Sequence, residues 1–497
     1  MAMNEDNTAR AIAFARLWAV ACLFNLIAHW DLQSGTGVFV AKAAVLALAA
    51  WVVLFPGGAL LAVLAVLYAG IAWVDWPRVN NHGVLMFVVH LFWVGVFLRS
   101  RLAGVRWENA FARSPAPALR VFLGVLYSWA VVHKLNAGFL DPVWSCASTE
   151  LLKLADARLF GIPLSFLPSG PATRVLSIYG TLLIEAAIPL MLFFPRTRRA
   201  AIVLAVGFHS LLGFSYPAFS SMLWALLVLF LPADAAARLA GNREGRIQRR
   251  AWITATLLVG TAAVGTAVGF AQASAPELSA VRWSLPFLRH LFLLYTILLV
   301  VRSWPAFRAS APDKSIPQAF RLRPVGAILA AVLLLNGAAP YFGIKATQSF
   351  AMFSNLNVAA GRSNHVFIPA SWQRFGLRTD LVTIQSSSDP VLDQLSRPQW
   401  AGAPDNRSFS SFNRPPLDAA ERNPPRWKLP FHALKRRMLE LEKRGEAGVL
   451  LSYERRGQTY VVLSAQDDPE LTDLPWWMRK FLRPRVVPEG AENTCMW

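Results

Sequence analysis

Apolar runs long enough to cross a lipid bilayer recur along the chain up to residue 340. A transmembrane helix needs about 20 predominantly apolar residues, and short polar connections separate runs of that order. The pattern predicts an all-α polytopic membrane bundle, of roughly nine to eleven spans, over residues 1–344. The candidate runs are 11–30, 38–54, 58–75, 82–98, 117–133, 175–194, 200–215, 218–231, 252–271, 284–301 and 324–340.

Two neighbouring runs form the least regular part of this pattern. Residues 200–215 and 218–231 are short for a span, and Tyr216-Pro217 separates them. Proline lacks a backbone donor and ends or bends a helix. We therefore expect a discontinuous helix here, either as two half-spans or as a re-entrant pair.

Basic residues concentrate in alternate connections. Arginines follow the fourth, sixth, eighth and tenth runs, whereas connections such as 271–281 and 215–217 carry almost none. Positive charge marks the cytoplasmic side of a membrane protein. The alternation predicts a cytoplasmic N-terminus and, with an odd number of spans, an extracytoplasmic C-terminal region.

The composition changes in residues 345–497, which are polar and contain no spanning run. GVLLSYER and TYVVLSAQ flank the short RGQ connection and predict a β-hairpin, and HVFIPA and DLVTIQS also have strand-like composition. HALKRRMLELEKR, residues 432–444, has the apolar period of an amphipathic helix. We predict a small extramembrane α+β domain.

The overall composition fits this architecture. The chain is 55% hydrophobic and only 16% charged, with a mean hydropathy of +0.40, whereas soluble domains carry about 25% charged residues. A net charge of +20 would suggest nucleic acid as the partner of a soluble fold. Because the basic residues lie between apolar runs, we expect membrane lipids as partners and no nucleic acid.

The cysteines Cys22, Cys146 and Cys495 form no metal-binding motif, so no metal is predicted. Cys22 lies inside an apolar run. Cys146 and Cys495 both fall on the predicted outer side, and the sequence does not decide whether they form a disulfide. The polar start and the long first run indicate an uncleaved span rather than a signal peptide.

The richest polar segment is AVVHKLNAGFLDPVWSCASTELL, residues 130–152, which places His133 and Lys134 at the outer end of a span and Trp144 in the loop. Ionisable residues in spans are costly and indicate function. A lysine in a poorly hydrated pocket has a lowered pKa and can act as a base near neutral pH. The alternative is a lysine that extends to the lipid head groups.

Carboxylates close to Lys134 in sequence would act against this lowering of its pKa. Asp141 and Glu150 are the nearest ones. We expect desolvation to outweigh their effect, because the outer loop has few other charges.

Two further segments carry histidines within apolar runs. VNNHGVLMFVVH, residues 79–90, supplies Asn81, His82 and His90, and GFHSLLGFSYPAFSSMLW, residues 207–224, supplies His209 beside the Tyr216 break. A neutral imidazole can shuttle protons or orient a ligand. Hydrogen bonds between helices are the alternative.

One acidic residue, Glu185 in TLLIEAAIPL, lies well inside an apolar run. An isolated carboxylate is costly there, so we expect it to pair with a lysine, a histidine or a backbone donor.

Together these segments resemble the vitamin K-dependent gamma-carboxylase family and its bacterial relatives, the horizontally transferred transmembrane (HTTM) proteins. NNH at 80–82, VVHKLNAGFLDPVW at 131–144 and GFHS at 207–210 resemble family segments in order and spacing. SFAMFSNLN and SNH at 363–365 resemble the stretch that leaves the last span. The resemblance covers most of residues 10–370 and implies a bacterial inner (plasma) membrane protein.

The resemblance implies a reaction and a set of site residues. Lys134 falls on the lysine proposed to deprotonate reduced vitamin K, a menaquinol-like cofactor. Oxygen then adds, the resulting alkoxide removes a glutamyl γ-proton, the carbanion takes carbon dioxide, and the quinone leaves as its epoxide. We expect His82 and His209 to position the oxygen-bearing substrate. The predicted quinone pocket comprises His133, Asn81, His90, Glu185, Trp144 and Tyr216.

One position departs from the family. His133 stands where the eukaryotic enzymes have a second basic residue before the lysine. If a site forms, Lys134 should share a cavity near the outer leaflet with His82 or His209. A peptide or protein substrate would then approach the outer face.

Two other functions remain open. The first is a non-catalytic lipid- or quinone-binding or assembly protein of the same fold. The second is a transporter, which the absence of internal repeats disfavours.

Overall fold

The computed structural model describes residues 2–29, 36–159, 162–241, 279–310, 320–398, 425–446, 448–465, 467–483, 485–489 and 495. The predicted span 252–271 lies outside these residues.

Helices make up most of the structure. Numbered in chain order over the described residues, they are α1 (Ala2–Ala28), α2 (Thr36–Leu54), α3 (Gly58–Asp75), α4 (Asn81–Leu102), α5 (Trp107–Arg113), α6 (Pro115–Lys134), α7 (Ala137–Leu140), α8 (Cys146–Ala155), α9 (Pro171–Phe193), α10 (Arg198–Ser215), α11 (Pro217–Leu227), α12 (Ala233–Ala240), α13 (Ser279–Ala309), α14 (Pro324–Ala338), α15 (Pro390–Asp393), α16 (Phe431–Lys443), α17 (Pro469–Thr472) and α18 (Trp476–Phe481).

Every predicted run that falls within the described residues is helical. Their apolar composition is typical of the helices of membrane proteins. Within the described part of the chain, six segments are long and apolar enough to span a bilayer, namely Glu5–Ala28, Gly58–Asp75, Asn81–Leu102, Pro115–Lys134, Pro171–Phe193 and Leu288–Ala309. Three shorter segments are also apolar helices, namely Val40–Leu54, Pro217–Phe230 and Pro324–Ala338.

Helix α9 shows why such sequences suit a bilayer. Leu176, Leu183 and Leu190 recur every seven residues on one face and are 69%, 71% and 64% exposed. The helix satisfies its own backbone polar groups, so an apolar outer face is compatible with hydrocarbon.

The predicted break at Tyr216-Pro217 is confirmed. α10 ends at Ser215, and α11 begins with Pro217 at its first turn. Proline is favoured at this position because the N–H groups of the first turn have no acceptor within the helix, so the absence of an N–H breaks no hydrogen bond. Tyr216 still joins the two ladders, since its N–H donates to the Leu212 carbonyl and its carbonyl accepts from the Ser220 N–H.

Strands are few and lie mostly in the C-terminal region. In chain order they are β1 (Arg158–Leu159), β2 (Ile162–Pro163), β3 (Val358–Ala359), β4 (Arg362–Ser363), β5 (Leu381–Ser387), β6 (Arg426–Pro430), β7 (Leu451–Arg455), β8 (Gln458–Val462) and β9 (Val487–Glu489). Strands β5 to β9 form one antiparallel sheet in the order β8-β7-β5-β6-β9. The small C-terminal sheet region that the sequence predicts is therefore present.

The predicted hairpin is confirmed as β7 and β8. Arg455 pairs with Gln458, and the two turn residues, Arg456 and Gly457, have φ values of 53° and 77°. Two consecutive positive φ angles are typical of the type I′ turn, whose twist matches that of the flanking strands. DLVTIQS likewise forms β5.

The predicted strand HVFIPA is wrong. Only His365 makes an isolated bridge, to Asn136. The His365 imidazole accepts hydrogen bonds from the backbone N–H groups of Phe367 and Ile368, at 3.1 and 3.0 Å. These two N–H groups therefore bond to a side chain within a local turn and not to a neighbouring strand. The strand-like composition of the segment gives no sign of this.

The C-terminal sheet is covered by α16, as its amphipathic period predicts. Leu434, Met438 and Leu441 are fully buried on one face of α16 and share a core with Trp427 and Tyr453. Burying a large apolar side chain of this kind contributes about 1.5–3 kcal/mol.

The chain divides into two compact units that interleave along the sequence. The first comprises Met1–Val74, His82–Tyr127 and Ala186–Ala331. The second comprises Asp75–Asn81, Ser128–Glu185 and Val332–Trp497. The predicted domain boundary after residue 344 stays a prediction.

Candidate active site

The end of α6 positions two of the predicted site residues in the second unit. His133 and Lys134 are its last two residues, and consecutive residues of a helix point about 100° apart. Asn136 follows and caps α7, because its side-chain oxygen accepts from the Phe139 N–H at 2.9 Å. The two basic side chains therefore enter different surroundings.

Lys134 forms a buried ion pair with Glu185. Its Nζ lies 2.8 Å from Oε2 and 3.1 Å from Oε1 of Glu185, which belongs to α9. Lys134 is 3% exposed and Glu185 is 7% exposed. The predicted pairing of Glu185 is thus confirmed, and the Lys134 side chain does not extend to the surface of the protein.

Two other contacts complete the environment of the Lys134 amine. Nζ donates to the Ala130 carbonyl at 3.3 Å, and it lies 5.8 Å from the centre of the Phe139 ring. Asp141 and Glu150, the carboxylates nearest in sequence, have other roles. Asp141 accepts from the Val143 N–H, and Glu150 pairs with Lys153 at 2.7 Å.

The buried His133 imidazole is oriented by two hydrogen bonds. Its Nε2 donates to the Ser349 carbonyl at 3.0 Å, and its Nδ1 accepts from the Tyr341 hydroxyl at 2.9 Å. A carbonyl only accepts, so Nε2 must carry the proton. Burial raises the pKa of Tyr341, which keeps this hydroxyl a donor. The indole of Trp129 stacks on the ring at 5.1 Å.

A segment with unusual backbone geometry, residues 345–357, provides the Ser349 carbonyl. Four of its residues that are not glycine, Gln348, Phe350, Phe353 and Asn355, have φ between 50° and 64°. This left-handed region costs an ordinary residue roughly 1–2 kcal/mol. Such strain persists only where the surroundings determine it, and it clusters at functional sites. We call this segment the strap.

Side-chain amides hold the strap in place. Asn81 accepts from the Phe350 N–H at 2.7 Å, and Gln348 donates to the carbonyls of Pro77 and Val79. Asn355 donates to the Trp144 carbonyl at 2.7 Å and accepts from the Cys146 N–H at 2.8 Å. The predicted residues Asn81 and Trp144 therefore both contact the strap.

A disulfide joins Cys146 to Cys495, with a Cα–Cα distance of 5.0 Å. Phe139 and Ile178 pack around it. The pairing that the sequence left open is therefore formed, and Cys22 is a buried free thiol in α1.

Lys345, which sequence reasoning missed, and His365, which it noted only as part of SNH at 363–365, also belong to the second unit. Burial lowers the pKa of Lys345, at the start of the strap, to about 8. His365 donates through Nε2 to the Val132 carbonyl at 2.9 Å, and burial lowers its pKa. The sequence offers no local signal that either side chain is buried, because neither lies in a segment with apolar periodicity.

The first unit contains His82 and His209 on either side of one aromatic ring. The centre of the Phe219 ring lies 6.0 Å from the His82 ring and 5.8 Å from the His209 ring. His209 Nε2 lies 2.6 Å from the Tyr127 hydroxyl. Both ring nitrogens of His82 are buried and have no hydrogen-bond partner within the described part of the chain. These nitrogens could bind a polar ligand atom.

His90 and Tyr216 have structural roles in the same unit. His90 Nε2 accepts from the Trp18 indole N–H at 2.9 Å, which links α4 to α1. The hydrogen bond between helices that the sequence left as an alternative is thus formed at His90. Tyr216 connects α10 to α11.

The predicted site residues are therefore distributed over both units. Lys134, His133, Glu185, Asn81 and Trp144 belong to the second unit, and His82, His90, His209 and Tyr216 belong to the first. A cavity that Lys134 shares with His82 or His209 stays a prediction. Among the described residues, no group of three or more His, Cys, Asp or Glu side chains is arranged to hold a metal ion.

Fold and site define the chain as a mostly helical protein of membrane-protein composition, with a buried lysine–glutamate pair and a small C-terminal sheet region. No family model, no curated protein and no solved structure matches it.

Proposed function

We propose that this chain is a membrane enzyme in which Lys134 removes a proton from a reduced quinone. The coupled reaction is carboxylation of a glutamyl side chain, as in the vitamin K-dependent carboxylases that the sequence resembles. Reduced quinone, oxygen and carbon dioxide would be its small-molecule substrates. The observation that supports this proposal is the buried Lys134–Glu185 pair at the end of α6.

The pair supports base chemistry for a physical reason. A buried ion pair is a poor device for stability, because desolvation of both charges offsets most of their attraction. Strongly desolvated titratable pairs are instead typical of catalytic sites. The 2.8 Å contact fixes the Lys134 amine beside a carboxylate in surroundings shielded from water.

His133 would act as a positioning residue. Its two hydrogen bonds, to Tyr341 and Ser349, fix the last turn of α6 against the strap. The adjacent Lys134 is thereby held in one orientation. A quinone suits such a site because its isoprenoid tail partitions into lipid, and a peptide substrate would approach from the outer face.

The proposal is tested by turnover of the purified protein in lipid nanodiscs. A reduced quinone, labelled bicarbonate and a glutamate-containing peptide are supplied, and epoxide and incorporated label are measured. We expect Lys134→Ala to abolish both products. Lys134→Arg should also be inactive, because a guanidinium stays protonated in proteins.

Two other lysine variants serve as controls in this assay. Lys153→Ala removes a half-buried lysine that pairs with Glu150 and should leave turnover unchanged. If Lys134→Arg turns over normally while Lys345→Ala does not, the base is Lys345 and the assignment of Lys134 is wrong.

A second candidate function is binding of a quinone or lipid, or assembly of a partner, without chemistry. The contacts of Lys134 with Glu185 and Ala130 favour it, since they satisfy the amine as a structural pair would. A wild-type protein that binds quinone without turnover, and a Lys134→Ala variant that binds equally well, would support this function. The roles predicted for His82 and His209 stay predictions.

A further inference from the structure

An apolar crevice of about 300 Å³ opens within the first unit. Its walls come from α1, α10, α11, α12 and α13. Val206, Leu227, Leu299 and Phe307 are typical of its lining. A cavity of this size is large enough for part of a ligand.

The crevice runs along two helices, α13 and α10, and its two ends differ. Along α13 its lining extends from Thr296 to Phe307, and along α10 from Gly207 back to Ile202. At the Thr296 end, the Trp224 indole N–H donates to the Thr296 hydroxyl at 3.0 Å. This bond satisfies the indole N–H, and the rest of the lining at this end is apolar, so it suits a hydrocarbon chain.

The Phe307 end is basic. The guanidinium of Arg199 lies 5.9 Å from the centre of the Phe307 ring. Arg16 precedes the lining residue Leu17, Arg302 precedes Ser303, and these two arginines are within electrostatic reach of each other. A carboxylate is also present, since Asp234 accepts from the Ser310 hydroxyl at 3.3 Å.

The Arg199 guanidinium presents unused donors at this end. Its Nε and Nη2 atoms are buried and have no hydrogen-bond partner within the described residues. A buried donor without a partner is costly. Arginine donates from a planar fork that matches the oxygens of a phosphate, so charge and geometry both indicate an anionic phosphate.

We propose that this crevice binds an anionic phospholipid. One acyl chain occupies the apolar channel between α10 and α13, and the phosphate accepts from Arg199 at the Phe307 end. Arg16 and Arg302 add attraction for the negative charge. The site is independent of the chemistry proposed for Lys134, so either proposal can fail without the other.

The charge part of the proposal is tested by native mass spectrometry of the full chain, released from nanodiscs that contain phosphatidylglycerol or phosphatidylcholine. We expect phosphatidylglycerol to remain bound and phosphatidylcholine to dissociate. Arg199→Gln should weaken retention about fivefold, which is the usual effect of one basic residue near a lipid surface. The matched control is Arg101→Gln, an exposed arginine at the end of α4, and it should change nothing.

The acyl-chain part is tested by filling the crevice. Among the residues that the structure describes, a Cβ at Gly207 would meet nothing within 4 Å, so Gly207→Phe should fold and should displace the lipid. The same residues leave open space around Gly95 on α4, and Gly95→Phe should retain the lipid.

Four results would overturn the proposal. The first is equal retention of both lipids. The second is undiminished binding in Gly207→Phe, which would leave only a head-group contact. The third is loss of the lipid to millimolar inorganic phosphate, which would indicate a simple anion site. The fourth is a crosslink from Gly207→Cys to a cysteine placed in residues 252–271, which would show that the chain fills its own crevice.

Discussion

At the scale of single residues, the buried pair of Lys134 and Glu185 combines two opposing effects. Each charge is costly to desolvate, and each is stabilised by the other at 2.8 Å. Removing one partner leaves the other buried and alone. Removing both eliminates the attraction and the desolvation penalty together, so stability and activity should respond differently to the same substitutions.

We expect Glu185→Leu to lower the unfolding free energy by about 3–5 kcal/mol, because it leaves Lys134 unpaired. The double variant with Lys134→Met and Glu185→Leu should recover most of this loss, since apolar groups of similar volume replace both charges. All of these variants should lack turnover. Thermal unfolding in detergent checks the first two statements, and a double variant as unstable as Glu185→Leu would show that this pair has no strong coupling.

At the level of elements, contacts with neighbouring segments determine the backbone conformation of the strap and the pKa of a histidine in α16. The strap holds a left-handed backbone because amides such as Asn81 and Gln348 bind its polar groups. In α16, His432 lies half-buried and is influenced by the charges of Arg378 and Arg436, which Asp380 opposes. Burial, followed by the charge of Arg378, lowers the pKa of His432 to about 4.

This pKa predicts acid sensitivity of the C-terminal sheet region. Between pH 4 and 6.5 the unfolded chain binds a proton at His432 and the folded chain does not, so stability rises with pH across that window. The contribution is complete above about pH 6.5 and is lost as the pH falls towards 4. We expect the thermal midpoint to fall by a few degrees over this range.

His432→Gln should flatten this part of the pH profile and leave the midpoint at pH 7.5 nearly unchanged. The pKa of His365 is also lowered by burial. The dependence of the thermal midpoint on pH that remains in His432→Gln therefore measures the contribution of His365. A profile identical to that of the wild type would assign the whole effect to other groups.

At the scale of the whole molecule, connectivity matters more than local preference. Both compact units are assembled from segments distant in sequence, and a disulfide ties α8 to a residue near the end of the chain. Closing so long a loop restricts the unfolded chain strongly. Persistent disulfides are typical of oxidising compartments, which supports an extracytoplasmic location for Cys146 and Cys495.

Replacing Cys146 and Cys495 by serine should lower the unfolding free energy by about 2–5 kcal/mol. A reductant should shift the wild-type midpoint in the same direction and leave the double serine variant unaffected. Cys22→Ala is the control, because Cys22 is a buried free thiol, and it should retain the response to reductant. Full reactivity of all three thiols in the unreduced, unfolded protein would contradict this pairing.

The alternating arginine-rich loops predict the orientation of the whole molecule. A periplasmic alkaline phosphatase reporter fused after Trp497 should be active, and a cytoplasmic reporter at the same position should be inactive. The opposite result would place residues 345–497 inside and would remove the support that the disulfide lends to an outer location.

Features that depend on local period and composition could be predicted from the residues alone. Apolar runs predicted the helices, and Tyr216-Pro217 predicted the break between two of them. The amphipathic period predicted α16. Each of these features depends on residues that are close together in the chain. The same reasoning failed for HVFIPA, where the His365 imidazole accepts hydrogen bonds from the backbone N–H groups of Phe367 and Ile368.

Which side chains meet depends instead on how distant segments pack in the fold. The pairing of Lys134 with Glu185, the two bonds of His133, the left-handed strap and the Cys146–Cys495 bridge all join segments far apart in sequence. No local pattern encodes such a contact, because it forms only when distant elements pack and exclude water. Sequence reasoning could therefore expect a partner for Glu185, but the fold alone could select Lys134.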